Sequence, residues 1–314
     1  MTKTEASSSS RGSNVGNALF VAAVGAILIV FLTAVALVLL SNVKYLAEPQ
    51  NWSMLGDAKA KSGWEFFLEG LKDPENHFAI KLSVLMAALT ALLSMVVAIP
   101  AAYALSRFRI PGASVIDTVL DLPIVVPPPV IGLSLLIFFR TDLGHALNNL
   151  TPQWYVDAMN WALSKFLGQP IQDDKVWVYS TRGIVLAQFF VACSFGVRAV
   201  KATFDTIGSR YEDVARTLGC SRFQAFFRVV VPMARTGIVA GLVMTWARAM
   251  AEFGPVLFFS GATPYKTEVM PIAMFLRYSA GRIEPAVVLL LIMLMISTVT
   301  LLTFKKLGGR GYLW

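Results

Sequence analysis

Arg248 and Glu252 stand four residues apart in Trp246-Ala-Arg-Ala-Met-Ala-Glu-Phe-Gly-Pro255, inside an otherwise apolar stretch, so one helical turn brings them together as an ion pair. Charges at membrane depth are costly and face a bundle interior or a water-filled cavity. Two readings stay open for the pair: it locks helices together, or it lies beside a path along which Arg248 screens an anion. Gly254 and Pro255 just beyond it loosen the helix, as expected where a path narrows. Asp117 and Asp121 are also one turn apart, and they read as an anchor for their helix end, since they would repel an anionic solute. Nothing points to catalysis. Cys193 and Cys220 are too few for a metal site, His77 and His145 read as solvated loop residues, and no carboxylate cluster accompanies the Arg–Glu pair. No Gly-rich phosphate loop is present, so the chain is expected to bind no nucleotide, cofactor or metal.

The elements that must position these residues are apolar helices. Hydrophobic residues make up 56% of the 314 and charged ones 15%, which excludes an ordinary soluble domain. Six stretches approach the roughly 20 residues of a membrane span: 17–40, 78–105, 115–139, 183–200, 236–260 and 285–304. The first is too long for a signal core and lacks a cleavage site, so it reads as a retained anchor after a disordered tail, 1–16, with serines at 7 to 10. The third contains Pro123 and then Pro127, Pro128 and Pro129, which must kink it or split it in two; such breaks persist where protein or water satisfies the freed carbonyls, so it is expected to line a central cavity. The expected fold is an all-α membrane protein of about six transmembrane helices. Between them lie outer loops 41–77 and 140–182, an inner segment 201–235 and a tail 305–314. Lys and Arg are denser in the segments shared with the N-terminus, and the opposite loops carry 11 acids against 4, which puts both termini in the cytoplasm. No basic patch with interleaved aromatics suggests nucleic acid; the net charge of +8 is a topology signal.

The inner segment is the most patterned part of the chain. Phe204, Ile207, Tyr211, Val214 and Leu218 fall at spacings of three and four, predicting one helix face that ends at Gly219, a residue able to take left-handed φ. Ser221 and Gln224 form a capping-box pattern, and Phe223, Phe226, Phe227, Val230 and Val231 mark a second face, stopped at Pro232. Arg216, Arg222 and Arg228 occupy the polar faces. Two amphipathic helices on a hinge form a plug for a partner's socket, whereas a mere linker would be shorter and less patterned.

This segment resembles the "EAA" loop of the inner-membrane permeases of ATP-binding-cassette importers: Glu-Ala-Ala, three residues, Gly, nine residues, Ile, one residue, Leu-Pro. Asp213, Val214 and Ala215 take the first three places, then Gly219, then Val229, Val231 and Pro232; Asp213 replaces the usual Glu, with Glu212 beside it. Leu-Pro-Ile-Val-Val-Pro-Pro-Pro-Val-Ile-Gly132, Ala-Arg-Thr-Leu-Gly219, Ala-Arg-Ala-Met-Ala-Glu-Phe-Gly254 and Lys266-Thr-Glu-Val-Met-Pro-Ile272 are similar to the molybdate, tungstate and sulfate branch over residues 79–304. The resemblance implies a type I importer permease core at 78–304 without an ATPase site of its own. It also implies a cytoplasmic ATPase dimer that hydrolyses ATP and grips the loop, a second permease subunit, identical or related, and an outer solute-binding protein. The long outer loops would serve that binding protein or be decoration. The short tail implies no anion-sensing regulatory domain. Another small solute is the alternative cargo. An ATP-independent secondary transporter is the alternative class, but it gives no reason for the hinged inner loop, and no internal repeat supports it.

Overall fold

In a computed structural model of the protein, the described residues are 5–47, 63–108, 111–171, 173 and 176–307. Among them 15 helices follow one another without a strand: α1 (Glu5–Ala47), α2 (Gly63–Lys72), α3 (Pro74–Arg107), α4 (Ala113–Val125), α5 (Pro128–Phe138), α6 (Asp142–Leu150), α7 (Gln153–Leu167), α8 (Thr181–Thr206), α9 (Arg210–Thr217), α10 (Arg222–Ala225), α11 (Val231–Met233), α12 (Arg235–Met250), α13 (Gly254–Ser260), α14 (Met270–Ser279) and α15 (Ile283–Leu307). The chain divides into residues 1–69 and 70–314. In the first unit α1 includes the apolar stretch Phe20–Tyr45. It starts at Glu5, so the serine run expected in a disordered tail is helical. Serine costs little against alanine in a helix, and a long helix already nucleated by its apolar part propagates through it.

The second unit is built on α3, α8 and α12, which pack pairwise against one another. Asp73 caps α3, accepting a hydrogen bond from the Glu75 amide at 3.0 Å, and Pro74 opens its first turn. At 34 residues α3 is about 50 Å long, more than the hydrocarbon thickness. Ser180 caps α8 in the same way through the Gly183 amide. Small side chains and glycines, among them Ala91, Ser94, Gly196 and Gly241, let these helices approach closely, the usual device where lipid removes the hydrophobic drive between helices. One apolar core lies toward the α3 N-terminus, around Phe78, Leu82, Leu135, Ile184, Val256 and Phe259. A second lies toward its C-terminus, around Met95, Ala102, Val200, Phe204, Val230 and Ala234.

Four helices are continuous and apolar enough to cross a membrane, Phe20–Tyr45, Pro74–Arg107, Thr181–Thr206 and Pro285–Thr303, and two bent pairs raise the number to six. The third expected span is indeed broken: α4 and α5 meet at 109°. Pro123 sits inside α4, whereas Pro127 to Pro129 occupy the start of α5, where a missing amide proton costs nothing. The fifth expected span, 236–260, is two helices, α12 and α13, separated at 251–253. The outer segment 140–182, expected as a loop, folds into α6 and α7, and 41–77 contains α2 and the first turn of α3. His77 and His145 are exposed, as expected, but lie in helices. In the tail, 308–314 lies outside the described residues.

Candidate functional site

The 201–235 segment keeps its hinge and cap but not its continuous faces. α8 ends at Thr206, three residues separate it from α9, and Phe204 is fully buried in the core while Tyr211, Val214 and Leu218 are exposed on α9 and its end. The expected single face is therefore two: an anchor on α8 and a displayed patch on α9. Gly219 has φ of 93°; its amide donates to Arg216 O at 3.0 Å and the Cys220 amide to Ala215 O at 3.1 Å, the paired bonds of a helix closed by a left-handed glycine. A β-carbon at Gly219 would meet nothing within 4 Å, so the backbone angle, not space, demands glycine. The Ser221 hydroxyl accepts from the Gln224 amide at 3.2 Å while Gln224 Oε1 accepts from the Ser221 amide at 2.9 Å.

The second helix does not stop at Pro232. Residues Phe226–Val230 form a π turn, with the Val231 amide donating to Phe226 O, and Pro232 lies in the first turn of α11, where a proline is tolerated. The bend comes later, 74° before α12. The π turn rotates the face: Val230 is buried in the core, Phe226 tilts against Tyr103 with ring centroids 4.5 Å apart, and Phe223 and Phe227 stay exposed. Ala215 is buried, Val229 is half-buried, and Arg216, Arg222 and Arg228 are exposed.

The acids at the loop's start have separate fates. Asp213, which occupies the motif's place, is exposed; Glu212 is buried. Glu212 Oε1 accepts from Arg107 Nε at 2.6 Å and Oε2 accepts from the Tyr103 hydroxyl at 2.7 Å, while Arg107 Nη2 donates to Ile207 O at 2.6 Å. The loop is thus tied to the end of α3. Neither Tyr103 nor Arg107 was singled out from sequence, because their partner lies more than 100 residues away.

Arg248 and Glu252 pair as their spacing predicted, Nη1 to Oε2. Glu252 is 2% exposed, and the Arg248 guanidinium lies 5.5 Å from the Phe195 ring centre on α8. Arg248 lies in the last turn of α12, where a cation complements the helix dipole, and Glu252 lies in the gap before α13. Beyond it, the two proline-bearing breaks meet. A β-carbon on Gly132 would lie 2.6 Å from Pro255 Cα, and one on Gly254 would lie 2.9 Å from Pro129 Cδ, Cγ and N. Gly254 and Pro255 start α13, Pro128 and Pro129 start α5, and the glycines let the two short helices touch backbone to backbone.

Asp117 and Asp121, in the middle of α4, anchor that helix to α8. Arg198 Nε donates to Asp121 Oδ1 at 2.8 Å, Nη2 lies 2.5 Å from Asp121 Oδ2, and Nη1 is 3.4 Å from Asp117 Oδ1. Arg198 was not singled out from sequence; a lone arginine inside the expected span 183–200 is the signal that could have found it. All three side chains are more than a third exposed, so Arg198→Ala is expected to cost about 1 kcal/mol or less, read as a small drop in thermal midpoint in detergent.

A polar cluster at the other end was not foreseen as a unit. Arg277 is buried, donates through Nη1 to Asn76 Oδ1, and faces Glu75 Oε2 at 3.3 Å. Asp173 accepts from the Thr181 amide and hydroxyl at 2.8 and 2.6 Å and faces Lys266 Nζ at 2.9 Å, tying the segment before α8 to the one before α14. Beside Arg277, burial pushes the Glu268 carboxyl up to about 7, reinforced by the charge of Glu75 and opposed by Arg277. Between the ordinary carboxyl range and about pH 7 the folded protein therefore holds a proton that the unfolded chain has released. The stabilisation is present below the ordinary carboxyl range and is lost as pH rises through about 7. Between about pH 5 and pH 7 the slope is at most about 1.4 kcal/mol per pH unit, and Glu268→Gln is expected to flatten the corresponding fall in thermal midpoint.

Residues 94–310 match the family described as the binding-protein-dependent transport system inner membrane component. The chain belongs to this family. It is 31% identical over 251 residues to the sulfate transport system permease protein CysT of Escherichia coli K12, covering 80% of this chain and 83% of that protein. The molybdate/tungstate permease WtpB of Thermococcus kodakarensis is also 31% identical, over 80% of this chain and 87% of its own length. The molybdenum permease ModB of E. coli K12 is 32% identical over 65% of this chain and 80% of its own. Among solved structures, a bacterial ABC transporter involved in alginate import matches with a TM-score of 0.58 at 16% identity, over 89% of this chain and 96% of that one. A bacterial alginate ABC transporter in complex with an alginate pentasaccharide-bound periplasmic protein matches at 0.57 and 17%, over 79% and 83%. At such identities these structures speak for the fold alone: the chain shares the fold of a chain in those ABC transporters. An inner-membrane transport subunit with broken spans is what the motifs predicted.

Proposed function

We propose that this chain is the membrane-spanning subunit of an importer that carries a tetrahedral oxyanion, molybdate, tungstate or sulfate, into the cytoplasm. ATP hydrolysis on a separate ATPase pair drives it, and a second permease subunit, identical or related, completes the pathway. A solute-binding protein delivers the anion at the face opposite the 201–235 segment. The observation that carries the reading is the displayed patch of that segment. Tyr211, Val214, Leu218, Phe223 and Phe227 are all more than half exposed, on a frame held by the Glu212–Arg107 tie and the Gly219 turn. An apolar surface held rigidly in the open, among arginines, fits a groove on a soluble partner. Differential fit to two states of the ATPase is what couples hydrolysis to opening and closing of the pathway. The cargo class is supported by the names of the relatives.

Uptake of labelled molybdate, tungstate and sulfate by cells lacking the chain, with and without its restoration, tests the cargo; no dependence for any of the three removes the oxyanion assignment and leaves the permease reading standing. Leu218→Asp, or Gly219→Pro, tests the docking: each is expected to abolish ATPase co-purification and uptake, and normal behaviour of both variants would sink the claim.

A further inference from the structure

α6 and α7, at the end of the molecule opposite the 201–235 segment, both expose large apolar side chains. On α6, Leu143, Leu147 and Leu150 share one face and are all exposed, while Asp142, His145 and Asn149 take the other side of the helix. On α7, Val156, Leu163 and Leu167 are buried, and Trp154 and Trp161, two turns apart, are 71% and 66% exposed together with Phe166. Lys165 lies 5.2 Å from the Trp161 ring centre.

Two crevices open beside these helices. One, of about 580 Å³, runs between Leu147 of α6 and Pro123, Ile131 and Phe190 of α4, α5 and α8. The other, of about 300 Å³, runs between Tyr155 and Met159 of α7 and Leu89 and Leu93 of α3. Phe190 and Leu93 are both more than two-fifths exposed on helices long and apolar enough to span a membrane, so each crevice opens beside a face that hydrocarbon would cover. α6 begins four residues after the end of α5, and α8 begins at Thr181 after the segment that follows α7. Tryptophan and a lysine able to extend its charge past an aromatic ring are the side chains that settle at the headgroup level.

We propose that α6 and α7 lie in the plane of the membrane, in the headgroup region of the leaflet opposite the 201–235 segment. Their apolar faces rest on the acyl boundary and lipid chains fill the two crevices. The occupant is bilayer phospholipid, and the inference stands apart from the identity of the transported solute. A segment that reads in sequence as a long aqueous loop is thereby a surface float.

The test places a nitroxide at Leu150→Cys, Trp154→Cys, Trp161→Cys and, as the water-facing control, Asn149→Cys, each in the full chain with Cys193→Ala and Cys220→Ala. The chains are reconstituted in phosphatidylethanolamine–phosphatidylglycerol vesicles. Collision with oxygen relative to a water-soluble nickel chelate is expected to be severalfold higher at the first three positions than at Asn149. The proposal is overturned if all four labels meet the nickel chelate equally. It is overturned too if shielding at Trp154 and Trp161 arises only when the solute-binding protein is added, or if label-to-label broadening shows that a second copy covers them.

Discussion

Glu212→Ala is expected to abolish transport and lower the thermal midpoint, whereas Asp213→Ala, one residue on, leaves stability nearly unchanged. Glu212 and Arg107 are each only 11% exposed at their side chains, and the carboxylate also takes the Tyr103 hydroxyl. Removing it leaves the mostly buried Arg107 guanidinium without its counter-charge, holding only Ile207 O and Ser106 Oγ, and the Tyr103 hydroxyl without its acceptor; breaking a fully buried pair costs about 3–5 kcal/mol, the upper bound here. Arg107 also holds Ile207 O, so the start of the 201–235 segment loosens with it. Tyr103→Phe removes one hydrogen bond and is expected to cost about 1 kcal/mol. Asp213 is exposed, and a surface change there falls within about 0.5 kcal/mol. Thermal melting in detergent and uptake in cells read both effects. A larger loss for Asp213→Ala than for Glu212→Ala would show that the motif position, not its buried neighbour, anchors the loop.

Gly132→Val is expected to uncouple the two broken spans. The atoms that a β-carbon would strike are Pro255 Cα and its carbonyl oxygen, 2.6 and 2.8 Å away, and backbone cannot swing aside as a side chain can. Overpacking of this kind costs about 1–3 kcal/mol or more, and here it also forces α5 from α13, so uptake should fall by at least about tenfold. Gly254→Ala strikes Pro129 across the same contact, so the double variant with Gly132→Ala is expected to be less than additive. Gly208→Ala is the control, with nothing within 4 Å of the new carbon. Normal uptake by Gly132→Val would mean that the contact between α5 and α13 plays no part in transport.

Much of the segment bearing the displayed patch was legible because its signals are local. A capping box needs only residues three apart, a left-handed turn needs only its glycine, and a run of prolines breaks a helix wherever it stands. The faces were misjudged where an interruption entered: α9 restarts after three residues and the π turn at Phe226–Val230 inserts an extra step, so a 3.6-residue period drawn through either one assigns Phe204 and Val230 to a display face when both are core. The length of the 140–182 segment suggested a loop because its two helices are short and amphipathic, below the length at which a span announces itself.

Sequence by itself determined the apolar elements, the helix breaks, the Arg248–Glu252 pair and the hinged loop, since each depends on residues within a turn or two of one another. Only the tertiary structure decided that Glu212 and not Asp213 is the anchoring acid, that Arg198 answers Asp117 and Asp121, and that the break at Pro127 to Pro129 meets the one at Gly254 and Pro255. Those pairings join residues about 80 to 120 positions apart. They depend on how far each helix is rotated and shifted along its neighbour, which is set by the packing of every side chain between them and is written in no single stretch of the chain.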